Sequence, residues 1–178
     1  MGLILVPASD QGDKSGRYTL IPRTLIFLTC GERILLLKGA PEKRLWANLY
    51  NGIGGHVERG EDVRSAALRE LQEETGLILS KLDLSGVITI DTDHSAGVGL
   101  FVFRGECAPD EVEMIRKSTI SSEGTLEWVR RADLDSLPVV EDLLVLLPRI
   151  LSMQPGDHPF SARYWYDDQG RVQIEFSE

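Results

Sequence analysis

Apolar residues along this chain fall into two kinds of run. TLIFLTC (24–30) and RILLLKG (33–39) are short, β-rich and separated by Gly31-Glu32, which predicts two strands in a hairpin. GLFVFRGEC (99–107) has unbroken apolar character, the pattern of a strand buried on both faces. Further strands are predicted at 84–91 and in TLEWV (125–129). SARYWYDDQGRVQIEF carries two alternating runs around Asp167–Gly170, which predicts a second hairpin within 158–178. The other kind of run has helical character: residues 61–75, and LPVVEDLLVLLPRILSM, whose helix is expected to begin near Pro138 or Glu141 and to kink or end at Pro148. Polar, glycine-containing stretches at 39–52 and 92–97 predict loops, and residues 1–19 a loose N-terminal arm. Residues 108–123 are acidic, then serine-rich, and end in a loop. Strands mixed with two helices, with no repeat or linker, predict one α+β layered domain over 1–178.

The first helix poses a problem in electrostatics. At about 100° per residue, with Val63 at zero, Ala67, Leu71 and Leu68 fall at about 40, 80 and 140° and define a buried arc. Asp62, Ser65, Arg69 and Gln72 fall on the opposite, solvent arc. Glu74 falls at about +20°, inside the apolar arc; Glu70, at about −20°, borders it, and Glu73 is at about −80°. A charge cluster on a helix is ordinarily a solvated face, but these carboxylates lean toward the core. Like charges at i, i+3 and i+4 repel, and partial burial raises the cost or forces protonation. A divalent cation removes the conflict: hard oxygen ligands on one rigid face suit Mg²⁺, which keeps waters for a phosphate substrate.

Composition narrows the function classes. A chain of 178 residues, 42% hydrophobic, is long enough for one domain with a sizeable core. A net charge of −9 argues against a broad duplex nucleic-acid footprint and leaves room for a small anionic substrate, with positive charge supplied by metal. Two cysteines, Cys30 and Cys107, without zinc spacing read as reduced core thiols and fit a cytoplasmic protein. The N-terminal run MGLILVPASD has no basic residues before it and is too short to span a membrane.

From Gly55 the chain runs five residues to Glu61, seven more, and then Arg69-Glu70-Leu71-Gln72-Glu73-Glu74-Thr75-Gly76-Leu77. This resembles the Nudix box, Gly-x5-Glu-x7-Arg-Glu-U-x-Glu-Glu-x-Gly-U with U aliphatic, and every specified position is filled. The resemblance implies an α/β/α sandwich, a mixed β-sheet flanked by helices, and Mg²⁺-dependent hydrolysis of a nucleoside diphosphate linked to another moiety, with Mn²⁺ able to substitute. It implies Glu70, Glu73, Glu74 and the Gly54 carbonyl as metal ligands, Glu61 as a support for the metal cluster through water, and Arg69 as an ion-pair partner that orients the glutamates. A glutamate then activates the attacking water: Glu70, or Glu123 in SSEGTLEWV, which resembles a late loop glutamate that serves as ligand or base in MutT-like members. Gly76 suits a left-handed helix end, and Gly54-Gly55 a close backbone approach to metal and phosphate.

The box leaves the leaving group open. Tyr50-Asn51-Gly52-Ile53-Gly54-Gly55 resembles the run before the box in MutT-like and oxidised-nucleotide hydrolases, although Tyr50 and Ile53 depart from it. Asn51 is then either a base-reading amide or a turn residue. Trp46 or Tyr50 either stacks on a base or packs on the core. Glu141-Asp142 either reads a base edge or stabilises a helix N-terminus. The proline and tyrosine that mark ADP-ribose and diadenosine polyphosphate hydrolases beyond the box are missing. The expected substrate is therefore a small nucleotide, a nucleoside triphosphate cut to monophosphate and pyrophosphate, with an oxidised guanine nucleotide foremost. Other nucleoside diphosphate derivatives, and a non-catalytic regulator that keeps the fold, are the alternatives. A regulator is disfavoured because no box glutamate is lost.

Overall fold

The expected hairpin forms from β1 (Thr19–Cys30) and β2 (Arg33–Gly39), antiparallel with Leu28 opposite Leu35 and Gly31 at the turn. The computed structural model describes residues 16–177 except 93, 117–119 and 122, so most of the expected N-terminal arm lies outside the described residues. β3 (Tyr50–Asn51) pairs with β2. Then come α1 (Val63–Thr75), β4 (Asp83–Ile90), β5 (Ala96–Glu106), α2 (Pro109–Arg116), β6 (Ile120–Ser121), β7 (Gly124–Arg130), a 3-10 helix (Arg131–Ser136), α3 (Leu143–Ser152), β8 (Phe160–Tyr166) and β9 (Val172–Phe176). The sheet is mixed. Its order is β6-β7-β2-β1-β5-β4-β8-β9, with β1·β5 and β4·β8 parallel.

Continuous apolar runs in β1 and β2 divide between the two faces, because alternate side chains point opposite ways. Leu25, Phe27, Ile34 and Leu36 pack on one face with Leu143, Leu146, Leu147 and Ile150 of α3. Ile26, Leu28, Leu35 and Leu37 pack on the other with Ala67 and Leu71 of α1 and Ile115 of α2. The result is the expected helix–sheet–helix sandwich, with α1 and its glutamates against the middle of the sheet.

Two expectations change, and the two cysteines gain a place. Residues 109–116 form a helix rather than acidic coil. Pro109 opens it, Asp110 and Glu111 sit in its first turn, and the Glu111 carboxylate accepts the Ala108 N–H at 2.7 Å, an N-terminal cap. The last helix starts at Leu143, later than expected, and runs through Pro148 to Ser152. Proline there removes one hydrogen bond, toward the carbonyl of exposed Leu144, while four buried side chains hold the opposite face. Finally, Cys30 and Cys107, remote in sequence, end neighbouring strands: Thr29 pairs with Glu106, and the Cys107 N–H donates to Thr29 O at 2.8 Å. Both thiols are free.

Pro148→Ala restores that hydrogen bond and a better helix former. The expected gain is about 1–2 kcal/mol, less than the full proline penalty because the unfolded chain also regains freedom. Thermal unfolding checks it; an unchanged or lower midpoint shows that Pro148 is accommodated without cost.

Candidate active site

α1 begins at Asp62, whose carboxylate accepts the N–H groups of Arg64 and Ser65 at 2.9 and 3.1 Å, and ends at Gly76 with φ of 75°. Its buried arc is broader than the wheel suggested: Ala66, Ala67, Leu71 and Thr75 are all buried, which leaves Glu74 near the middle of the arc. Just before the helix, 53–55 lie along β1. Ile53 exchanges backbone hydrogen bonds with Ile26, and the Gly55 carbonyl accepts from Thr24 N–H at 2.9 Å. The Glu70 carboxylate packs directly over Gly55, where an added Cβ would come within 2.4 Å of it. At Gly54 a Cβ would strike the Thr24 carbonyl. The glycine pair is thus required by two close approaches, one to a strand and one to an acid.

Arg69 organises the acids. Its guanidinium donates to both Glu61 oxygens at 2.8 and 3.3 Å, to Glu70 Oε1 at 2.9 Å, to Glu73 Oε2 at 3.2 Å and to the His56 carbonyl at 3.0 Å. The wheel put Arg69 toward solvent. In the structure its side chain is only 27% exposed, drawn back by three carboxylates. Hydrogen bonds from Arg69 hold the Glu61 carboxyl below its ordinary range, and Glu61 also accepts the Glu58 N–H at 2.7 Å. Glu61 therefore acts on Arg69 and stays out of the cavity lining.

Glu74 is in the opposite situation. Its Oε2 is buried without a hydrogen-bond partner among the described residues. Burial, reinforced by the charges of Glu70 and Glu123, pushes its carboxyl up to about 7; Gly54 N–H and Lys43 pull weakly the other way. Glu123 pairs with Lys43 at the same spot. Among the described residues no three acidic, histidine or cysteine side chains are set to hold a metal ion; Arg69 pairs with Glu70 and Glu73, and Lys43 with Glu123. The donor set nevertheless fits a hard divalent cation: an orphaned carboxylate oxygen, further carboxylates in electrostatic reach, and glycine backbone beside them.

A cavity of about 620 Å³ opens from this acidic end. Glu74, Glu123, Gly54, Gly55, Asn51, Trp46, Glu141 and Asp142 are all among its lining residues. The short strand β3 explains why Asn51 faces the cavity and Tyr50 does not. Adjacent strand residues point oppositely, and Tyr50 is buried, with its hydroxyl donating to Glu127 at 2.7 Å. Tyr50 is therefore corrected from a stacking candidate to a core residue. The Asn51 amide oxygen accepts the N–H of Gly52 at 2.8 Å, so the turn role is filled while the side chain still lines the cavity. Trp46, at φ of 60° in the β2–β3 loop, is 42% exposed. Asp142 sits at the N-cap of α3 yet makes no side-chain capping bond, and burial raises its carboxyl.

Lining residues that sequence did not anticipate include Lys43 and Tyr164. Lys43, within PEKR, has nothing in sequence to separate it from an ordinary exposed lysine. Tyr164 does carry a signal, since alternation in SARYWY places it with Ala162 on the inner face. Its hydroxyl is buried without a partner among the described residues, and burial, then the charge of Asp142, raises its pKa.

The NUDIX domain model matches residues 19–150, and the chain belongs to the Nudix family; it is a hydrolase of that family. It is similar to the oxidized purine nucleoside triphosphate hydrolase of Danio rerio, 33% identical over 65% of this chain and 67% of that protein. It is 36% identical to an m7GpppN-mRNA hydrolase of Xenopus laevis over 44% of this chain, but only 26% of that protein. In fold it resembles the mutator MutT protein of Bacillus halodurans, with a TM-score of 0.68 at 21% identity over 88% of this chain and 97% of that one. Among the described residues, no helix is long and apolar enough to cross a membrane.

Glu74 makes metal-free stability depend on pH. Its folded pKa of about 7 lies above the ordinary 4.5, so the folded state holds the proton more tightly, and stability falls as pH rises from about 4.5 to 7. Each pKa unit is worth about 1.4 kcal/mol, and each kilocalorie about 2–4 °C for a chain of this size. Glu74→Gln is expected to raise the metal-free midpoint at pH 8 by several degrees and flatten the slope. Parallel wild-type and variant profiles in EDTA would refute the burial assignment.

Proposed function

We propose that the chain is a MutT-like nucleoside triphosphate pyrophosphohydrolase that acts in the cytoplasm on small nucleotides, releasing a monophosphate and pyrophosphate, with oxidised guanine nucleotides as the leading substrates. One observation carries this reading: a single cavity joins the acidic cluster around Glu74 to an aromatic and amide-bearing wall at Trp46, Asn51 and Asp142. A polyphosphate at one end and a purine at the other match that division. The similarity to the oxidized purine nucleoside triphosphate hydrolase supports the same choice.

Glu70, Glu73, Glu74 and the Gly54 carbonyl would hold Mg²⁺, or Mn²⁺ in its place, with Glu123 beside them. The ion, when bound, offsets the negative charge of the phosphates and of the crowded carboxylates. Arg69 keeps Glu70 and Glu73 oriented, and Glu61 keeps Arg69 in place. Of the two candidate bases, Glu123 lines the cavity, whereas Glu70 is held by Arg69 over Gly55. We assign proton removal from the attacking water to Glu123. At the far end Asn51 and Asp142 offer hydrogen bonds to a base edge, and Trp46 offers a face for stacking.

Turnover of a nucleotide panel with Mg²⁺, scored for pyrophosphate against phosphate, tests the reaction. Pyrophosphate release from triphosphates is expected, fastest with an oxidised purine; preference for a nucleotide sugar, ADP-ribose or a dinucleoside polyphosphate overturns the substrate assignment. Glu70→Gln and Glu73→Gln should each lower turnover by about a hundredfold or more with the fold intact. Asn51→Ala should raise KM for purine triphosphates and spare pyrimidines. An equal effect on every nucleotide removes its base-reading role.

A further inference from the structure

The cavity has a charge problem for a polyphosphate. Over its whole extent the lining includes Glu74, Glu123, Glu141 and Asp142 and, among the described residues, two basic ones, Arg23 and Lys43. A polyphosphate entering there meets acids of its own sign, and each cation in the lining matters. Lys43 is already engaged, because its ammonium pairs with Glu123. That pair is built for exchange. The Glu123 side chain is 54% exposed, and ion pairs open to water contribute little. A phosphate offers a flexible lysine a stronger, charge-assisted partner.

The backbone keeps Lys43 close to Glu123 whichever anion it meets. The Ala40 N–H donates to the Glu123 carbonyl at 3.1 Å, and the Lys43 N–H donates to Ala40 O at 3.1 Å. Gly39 closes the loop from the other side, bonding Leu49 O and accepting from Asn48 N–H, each at 3.0 Å. The loop thus presents Lys43 to the acidic end of the cavity while Trp46, a few residues on, lines the cavity too.

We propose that Lys43 is a polyphosphate-contacting residue, held on Glu123 until the substrate arrives and transferred to a substrate phosphate oxygen on binding. This rests on the nucleotide reading above for its substrate, and adds to it that substrate entry draws Lys43 away from Glu123. No covalent bond is made or broken in the exchange: one ammonium leaves a carboxylate for a phosphate.

The test uses binding to the full chain in EDTA at low ionic strength, so that no turnover or metal enters the readout. Inorganic tripolyphosphate and guanosine mono-, di- and triphosphate are titrated by calorimetry. Wild type is expected to bind more tightly with each added phosphate. Lys43→Met should flatten that dependence, with tripolyphosphate affinity falling about tenfold, the scale of one lost charge-assisted hydrogen bond, and Lys43→Arg should recover most of it. Glu123→Gln should tighten tripolyphosphate binding several-fold, and that gain should shrink in the Lys43→Met background. Equal tripolyphosphate affinity in wild type and Lys43→Met, no binding by wild type, or equal gains from Glu123→Gln in both backgrounds each overturn the exchange. If wild type binds tripolyphosphate through Lys43 but prefers no guanosine nucleotide to it, the exchange stands and the nucleotide reading falls.

Discussion

One guanidinium decides how much acid this fold can carry. Arg69 bridges Glu61, Glu70 and Glu73 at 2.8–3.3 Å and is fixed to the His56 carbonyl. Arginine suits the task because its donors form a planar fork that engages several carboxylates at once and its charge does not titrate; a lysine would supply the charge without the geometry. The network relieves repulsion between Glu70 and Glu73 on the helix. It also ties the segment before α1 to the helix, since His56 and Glu61 lie upstream of the residues they are joined to. Glu74 is left outside this arrangement, and it is the acid whose oxygen is orphaned.

The sheet explains why that orphan is tolerated. Both faces of β1 and β2 bury large aliphatic side chains, against α3 on one side and α1 with α2 on the other. With α1 pinned through Ala67 and Leu71, Glu74 cannot swing to solvent without withdrawing its neighbours from the core. Stability lent by the apolar helix face is thereby used to hold a carboxylate where water solvates it poorly. That burial accounts for both the raised pKa of Glu74 and the Oε2 left without a partner among the described residues.

Much of this was legible in the chain. The period of the apolar residues located the first hairpin, the box helix and the C-terminal hairpin, because in each the local pattern agrees with the final burial. The crowding of Glu70, Glu73 and Glu74 was visible on a helical wheel, as was the lean of Glu70 and Glu74 toward the core; Glu73, at the edge of the arc, is 59% exposed. What the wheel could not show was Arg69 curling back, since a long side chain is not confined to the angle of its own Cα. The α2 helix was hidden by acidic composition although Pro109 and Glu111 are ordinary helix-start signals. Tyr50 and Asn51 were both held as site residues; a two-residue strand sends them to opposite faces, and strand placement in a glycine-rich loop depends on a partner, β2, that sequence does not identify. Lys43 was invisible for the same reason, as its partner is 80 residues away.

Two parts of the chain build this cavity. One is α1 with the glycine pair, which supply Glu74, Gly54 and Gly55 within the 19–150 span of the family model. The cavity wall is completed by Tyr164, Tyr166 and Val172, from the β8–β9 hairpin beyond that span. The hairpin reaches the cavity because β8 adds in parallel to β4, with Ile90 opposite Tyr164, extending the sheet at the edge away from β2. Tyr164 and Asp142 come from a strand and a helix cap, yet Tyr164 feels the charge of Asp142, and among the described residues Asp142 makes no side-chain capping bond and the Tyr164 hydroxyl no hydrogen bond. A buried hydroxyl without a partner weakens a fold, so a chain that keeps one at its cavity wall retains polarity there for something other than stability. The hairpin and the α3 cap thus bring to the cavity wall polar groups that α1 does not supply.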